Sequence, residues 1–156
     1  MSEAERFLVR EATGADMPGI SHVRLSVTEN ALTVEQLSGR GITNASVAAS
    51  LLTHRKGWVA EHAGRIVAFS MADKADSSIF ALFVLPGYEG RRLGTRLLGL
   101  ALDWLWDNGA ERVWLSTGPQ TRAAVFYAKQ GWVQTGKAGY GDLRFELVRP
   151  RYGRAS

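Results

Sequence analysis

Residues 84–98 read VLPGYEGRRLGTRLL, where an apolar run gives way to a helical pattern across Gly87, Gly90 and Gly94. A helix start presents unsatisfied N–H groups and the positive end of the helix dipole, which suits an anion. Glycines ahead of it let the backbone curl without a Cβ in the way, and Arg91 and Arg92 add formal charge. The chemistry this predicts is phosphate binding, and spacing decides which phosphate. A Walker loop needs Gly-x-x-x-x-Gly-Lys-Ser/Thr, and GYEGRRLGTR has no such lysine. The dinucleotide fingerprint needs Gly-x-Gly-x-x-Gly inside a βαβ unit, whereas the spacing here is Gly90-x-x-x-Gly94. A nucleic-acid surface needs a continuous basic face, yet the helix that keeps Arg91, Arg92 and Arg96 at its start later carries Asp103 and Asp107. Charge concentrated at one point favours a single compact polyphosphate.

The elements that must position this loop follow from periodicity. Residues 6–10 alternate like a short strand, and Asp16 with Pro18 opens a helix with Ile20, Val23 and Val27 on one face. Thr33 with Gln36 has capping-box spacing, so a second helix starts there, and Asn44–His54 reads as a third. Three β-rich runs follow at 57–62, 65–72 and 78–84, joined by short turns, which makes them an antiparallel meander. After Pro86 the pattern turns helical, with Leu93, Leu97, Ala101 and Leu105 recurring every four residues and Gly109 closing the run. A buried-type strand (111–116), a helix from about 120 to Gly131, and strands at 132–136 and 142–148 complete the order. The predicted fold class is α/β: a single domain with a mixed, mostly antiparallel central sheet flanked by helices. Its core spans about 6–148 and a basic tail spans 149–156, with Arg149, Arg151 and Arg154.

Composition narrows the chemistry further. The 156 residues include no cysteine, which excludes thiolate nucleophiles, zinc–thiolate sites and disulfides. The three histidines, His22, His54 and His62, have no ligand-like spacing, so no metal is expected. The charged N-terminus and the lack of a membrane-length apolar run predict a soluble, cytoplasmic protein with no membrane partner. A net charge of +4 suits an anionic ligand and a nucleic acid equally. Trp104 and Trp106 cannot share one helix face, so one is expected to be partly exposed, as a homodimer contact or an acceptor wall.

Coenzyme A remains as the phosphate ligand, and a family resemblance supports it. Val84-Leu85-Pro86 followed by Glu89-Gly90-Arg91-Arg92-Leu93-Gly94 resembles motif A of the GNAT N-acetyltransferases, Val-x-Pro then Arg/Gln-x-x-Gly-x-Gly/Ala at a helix start. Downstream, the segment from Gln120 through Ala123, Phe126-Tyr127 and Gly131-Trp132 resembles the family's Asn-x-x-Ala-x-x-Phe-Tyr-x-x-x-Gly-Phe. With the element order, the likeness covers residues 6–148. Three positions depart from the pattern: Glu89 for Arg or Gln, Arg92 for the middle Gly, and Gln120 for Asn. Glu89 also reads as an acid of the helix's first turn, favoured there by the dipole.

The resemblance implies acetyl-CoA as acyl-donor cosubstrate, with its pyrophosphate over Glu89, Gly90, Arg91, Arg92, Leu93, Gly94 and Thr95, and with Gln120 nearby. Its pantetheine arm would pair with Leu82, Phe83 and Val84 as a pseudo-strand, and a backbone N–H near Val84 would stabilise the oxyanion. Tyr127 is the expected general acid for the departing thiolate. Read without the family, Tyr127 is a half-buried aromatic and Phe126 the core member of the pair. The strand SSIFALFV offers no base, so the base is expected to be ordered water, Glu29, Asp73 or Asp142. Glu29, Asn30, Arg122 and Asp142 are the acceptor-site candidates, Arg122 alternatively as a helix cap. The implied activity is direct acetyl transfer to a primary amine of a small molecule or amino-acid derivative. The alternatives are a peptide or protein N-acetyltransferase, a noncatalytic acyl-CoA sensor and, more weakly, a basic nucleic-acid-binding domain.

Overall fold

The computed structural model describes residues 6–27 and 32–150. Glu29, Asn30, Arg151 and Arg154 lie outside the described residues. Strand β1 (Leu8–Glu11) leads into helix α1 (Met17–Ser26), with Pro18 in its first turn, where a missing N–H costs nothing. Helices α2 (Val34–Gly39) and α3 (Asn44–Ser50) each open on a reciprocal capping box, Thr33 with Gln36 and Thr43 with Ser46. The meander is β2 (Arg55–His62), β3 (Arg65–Asp73) and β4 (Ser78–Val84), and both its pairings are antiparallel. Ala63 (φ 53°) and Gly64 (φ 79°) make the β2–β3 connection a two-residue turn of positive φ, matched to strand twist. Then come α4 (Leu93–Asp107), β5 (Arg112–Thr117), α5 (Arg122–Lys129), β6 (Val133–Lys137) and β7 (Leu143–Val148).

Several boundaries differ from the sequence expectation. The third helix stops at Ser50 rather than His54, and β2 starts at Arg55, whose guanidinium ties to Asp73 on β3. Val27 has left α1, with extended backbone (ψ 151°), and takes no part in its buried face. Helix α4 begins only at Leu93, because Gly87 (φ 96°), Gly90 (φ 78°) and Arg92 (φ 62°) hold left-handed backbone that no α-helix accepts.

The strands form one seven-stranded sheet in the order β1-β2-β3-β4-β5-β7-β6. Only β4 and β5 run parallel. The α4 face buries Leu97, Ala101 and Leu105 against Val67 and Val113. The opposite face buries Met17, Ile20 and Val23 of α1 and Val47 of α3 against Val59, Phe69 and Met71. Each fully buried leucine or isoleucine contributes roughly 1.5–3 kcal/mol, enough to fix both helix layers to the sheet. Trp106 is buried in the first cluster, while Trp104 is partly exposed and packs edge-on to Trp58 at 6.3 Å. Among the described residues no helix is long and apolar enough to cross a membrane, and no acidic or histidine cluster suits a metal ion.

Candidate functional site

The parallel pair β4/β5 is joined at one point. Ser78 registers with Trp114, Trp114 N–H donates to Ser77 O at 3.1 Å, and Trp114 Nε1 donates to Asp76 O at 3.1 Å. Beyond this pin β4 runs on to Val84 and β5 to Thr117 without another ladder pair. A bulge at the Met71/Ala72 step, where Phe80 is the extra residue of β4, adds local twist to that strand. The phase of the free edge follows from one hydrogen bond. Leu85 N–H donates to Val67 O at 2.8 Å, so Leu85 and Phe83 turn their backbone groups toward β3. Leu82 and Val84, alternating with them, present N–H and C=O to the gap. Of the three strand residues expected to pair with a ligand, two offer backbone groups and Phe83 does not.

The loop after β4 leads from this gap to the start of α4. Tyr88 anchors it, with its hydroxyl 3.0 Å from His62 Nδ1 and its ring edge-on to Phe7. Among the described residues no side chain caps α4, whereas α2, α3 and α5 are each capped by a threonine hydroxyl. The α4 N-cap is Arg92, in left-handed backbone. This accounts for the glycine of the family pattern at that position, which takes that conformation freely; an arginine there costs about 1 kcal/mol. Leu93 is buried, while Gly90, Arg91, Arg92 and Thr95 are exposed around the helix end. A Cβ built on Gly94 would lie 3.8 Å from Phe126 Cζ and 4.0 Å from Val84 Cγ2, so α4, β4 and α5 converge there with room to spare.

Glu89 belongs to this loop and not to the first turn of α4, which corrects the dipole reading. Its Oε1 accepts from Gly87 N–H at 2.9 Å and its Oε2 lies 3.9 Å from Arg122 Nη1. Arg122 therefore stands beside the loop at the start of α5. It does not cap the helix; Thr121 does, accepting from Ala124 N–H at 3.1 Å. Gln120 precedes that cap in left-handed backbone (φ 59°) and is exposed.

Tyr127 is the enclosed member of its pair, 6% exposed, and Phe126 is only partly buried, the reverse of the expectation made without the family. Its ring meets Phe126 at 5.3 Å, Trp132 at 5.7 Å and Phe145 at 6.3 Å. Burial among these rings pushes the phenol well above its ordinary value, so it keeps its proton at any ordinary pH. Asp73 is held by Arg55 at 3.0 Å, His54 at 3.6 Å and Ala75 N–H at 2.9 Å. Asp142, in the β6–β7 connection, is raised from the usual carboxylate range by burial, with Arg40 opposing the shift.

Across the sheet from α4, the side chains of Phe80 and Phe83 pack with the α1 cluster. Arg24 of α1 lies over both rings, Arg55 over Phe80, and Arg40, just past α2, over Tyr140 of the β6–β7 connection. Sequence reasoning missed this arginine group. One signal was present: Arg24 falls four residues after Ile20 and seven after Met17, on the apolar stripe of α1.

Two strands pinned at one end, with an open edge between them and an uncapped helix beside it, give the sheet a central cleft. Residues 33–132 match the acetyltransferase (GNAT) family, and the chain belongs to that family. It is 40% identical over 77 residues to an uncharacterized N-acetyltransferase of Mycobacterium tuberculosis, a match covering 47% of this chain and 49% of that protein. The chain thus spans about half the length of the curated relatives it matches. Among solved structures, the PaiA N-acetyltransferase of Thermoplasma acidophilum in complex with coenzyme A has a TM-score of 0.77 at 15% identity, covering 92% of this chain and 99% of that one. The ribosomal-protein-alanine N-acetyltransferase of Brucella melitensis gives 0.70 at 18% identity, over 91% and 99%. These likenesses bear out the α/β fold expected from the sequence.

Proposed function

We propose that the chain is a cytoplasmic, acetyl-CoA-dependent N-acetyltransferase that passes acetyl directly to a primary amine of a small molecule or amino-acid derivative. The observation that carries this reading is the free edge of β4. Leu82 and Val84 offer two N–H and two C=O groups at strand spacing to a ligand with amides of its own. The uncapped N–H groups of α4, with Gly90, Arg91 and Arg92, suit the pyrophosphate at one end of that edge. Bound there, acetyl-CoA supplies an activated thioester. A strand N–H facing the gap donates to the carbonyl oxygen as negative charge develops. Tyr127 holds a proton for the sulfur that departs. Asp73 is committed to Arg55 and His54, so the base in this reading is Asp142, ordered water or Glu29.

Glu89 is compatible with the pyrophosphate because its carboxylate is turned onto Gly87 N–H and toward Arg122. A peptide or protein acceptor is the second reading, favoured by the likeness to a ribosomal-protein-alanine N-acetyltransferase. Thermal unfolding with acetyl-CoA, followed by thiol release across amines, amino acids and peptides, tests both. At a hundred times Kd, acetyl-CoA stabilises the native state by about 2.7 kcal/mol, a rise in Tm of roughly 5–10 °C at this size. No shift at saturation overturns the proposal. Release with peptides alone moves it to the second reading.

A further inference from the structure

The arginine group on the α1 face has an uneven charge balance. Arg55 Nε donates to Asp73 Oδ2 at 3.0 Å and Arg55 Nη1 to Ser50 Oγ at 3.2 Å. Arg40 lies 3.6 Å over the exposed Tyr140 ring and acts electrostatically on Asp142. Arg24 has neither kind of partner among the described residues. Its guanidinium sits 5.1 Å from the Phe83 centroid and 5.7 Å from that of Phe80. Burial, with Arg40 and Arg55 adding repulsion, lowers its pKa to about 10. Holding a half-buried cation beside two others is costly unless an anion arrives. Aromatic faces soften that cost and hold the planar fork in place. Among the described residues, three guanidinium groups face two carboxylates, Asp73 and Asp142, which leaves one positive charge that a carboxylate matches and a phosphate dianion exceeds.

Position gives this charge its use. Phe80 and Phe83 are on β4, the strand whose other residues offer the free edge, and they face away from α4. A ligand whose phosphates lie at α4 and whose arm crosses the β4/β5 gap delivers its far end to the α1 face, beside these rings. Resting on the acetyltransferase reading, we propose that Arg24 receives a carboxylate of the acceptor, so that the substrate is a primary amine that also bears a carboxylate, as a free amino acid does. Arg40 and Tyr140 then form the rim through which it enters.

The test compares thiol release for matched triplets: an amino acid, its carboxamide and the decarboxylated amine, across several side chains. For the side chain taken best, kcat/KM for the acid should exceed both neutral forms by about tenfold or more, the preference expected of a site built around one charged group. Arg24→Met keeps the stem and removes the charge. It should raise KM for the acid at least about tenfold while kcat moves far less, and should collapse the preference for acid over amide; Arg24→Lys should restore part of it. Equal use of acid and carboxamide by the unmodified protein overturns the inference, as do better turnover of a phosphorylated amine and equal losses on both forms in Arg24→Met. If Arg24→Met does not fold, the unmodified protein decides through inhibition by an amine-free carboxylic acid. Competition with the acceptor, stronger than that of the matching amide, supports the inference, and equal inhibition overturns it. Stabilisation by acetyl-CoA with neutral amines turned over as well as the matching acids sinks this inference alone. Absence of both stabilisation by acetyl-CoA and thiol release with any amine sinks the acetyltransferase reading beneath it.

Discussion

Tyr127 and Phe126 are neighbours of similar bulk on a short helix, yet the polar one is enclosed and the apolar one only partly so. A core built for stability alone would place them the other way round, because a buried hydroxyl needs a partner that a phenyl ring does not. The phenol starts protonated, as a general acid must, and enclosure raises it further above its ordinary value. Tyr127→Phe should therefore lower turnover about 100-fold or more, while acetyl-CoA raises Tm of the variant as much as that of the unmodified protein. Single-turnover thiol release and thermal unfolding read the two quantities separately. Unchanged turnover would remove Tyr127 from the mechanism and leave it a packing residue.

Helix starts are where local sequence and function diverge in this chain. The capping box at Thr33 does its work with residues three apart, so it was legible in the sequence and the structure keeps it; the box at Thr43 is found only in the structure. The repeat Leu93, Leu97, Ala101, Leu105 was legible for the same reason. The start of α4 was not, since it depends on left-handed backbone at Arg92, which propensity places on glycine. Gly94 offers a way to separate what this element does for the fold from what it does for a ligand. A Cβ there meets only ordinary contacts, so Gly94→Ala should fold and gain roughly 0.5 kcal/mol from propensity and reduced unfolded-state freedom. If a phosphate approaches the α4 backbone closely, the same substitution should weaken acetyl-CoA by about tenfold or more, in the manner of a crowded glycine cradle. Isothermal titration beside thermal unfolding measures both. Tighter or equal acetyl-CoA binding would place the phosphates away from Gly94.

At the scale of the whole molecule, the open β4/β5 edge removes ladder bonds from the middle of the sheet, and other contacts must hold the parts in register. On the β1 side of that gap, an arginine clamp ties the sheet's edge to the approach to α1. Arg10 donates to both oxygens of Asp16, at 2.8 and 2.9 Å, and to Glu61 at 2.7 Å, joining β1, the approach to α1, and β2. Its partners stand 6 and 51 residues away, and pairings at the longer range leave no periodic trace, which is also why the arginine group around Phe80 was not foreseen. Hydrogen bonds from Arg10 and Thr13 N–H hold the Asp16 carboxyl below its ordinary 3.8, with burial opposing them. A carboxyl whose folded pKa lies below its unfolded one adds stability that is fully present above the unfolded value and is lost as pH falls through the folded one. Asp16→Asn should therefore lower Tm by several degrees at pH 7, where the charged bidentate pair is intact. The gap from the unmodified protein should narrow steadily as pH drops below about 4. Paired melting curves between pH 7 and pH 3 measure this directly. A gap of constant size would mean that Asp16 acts through shape or capping and that its charge contributes nothing to the clamp.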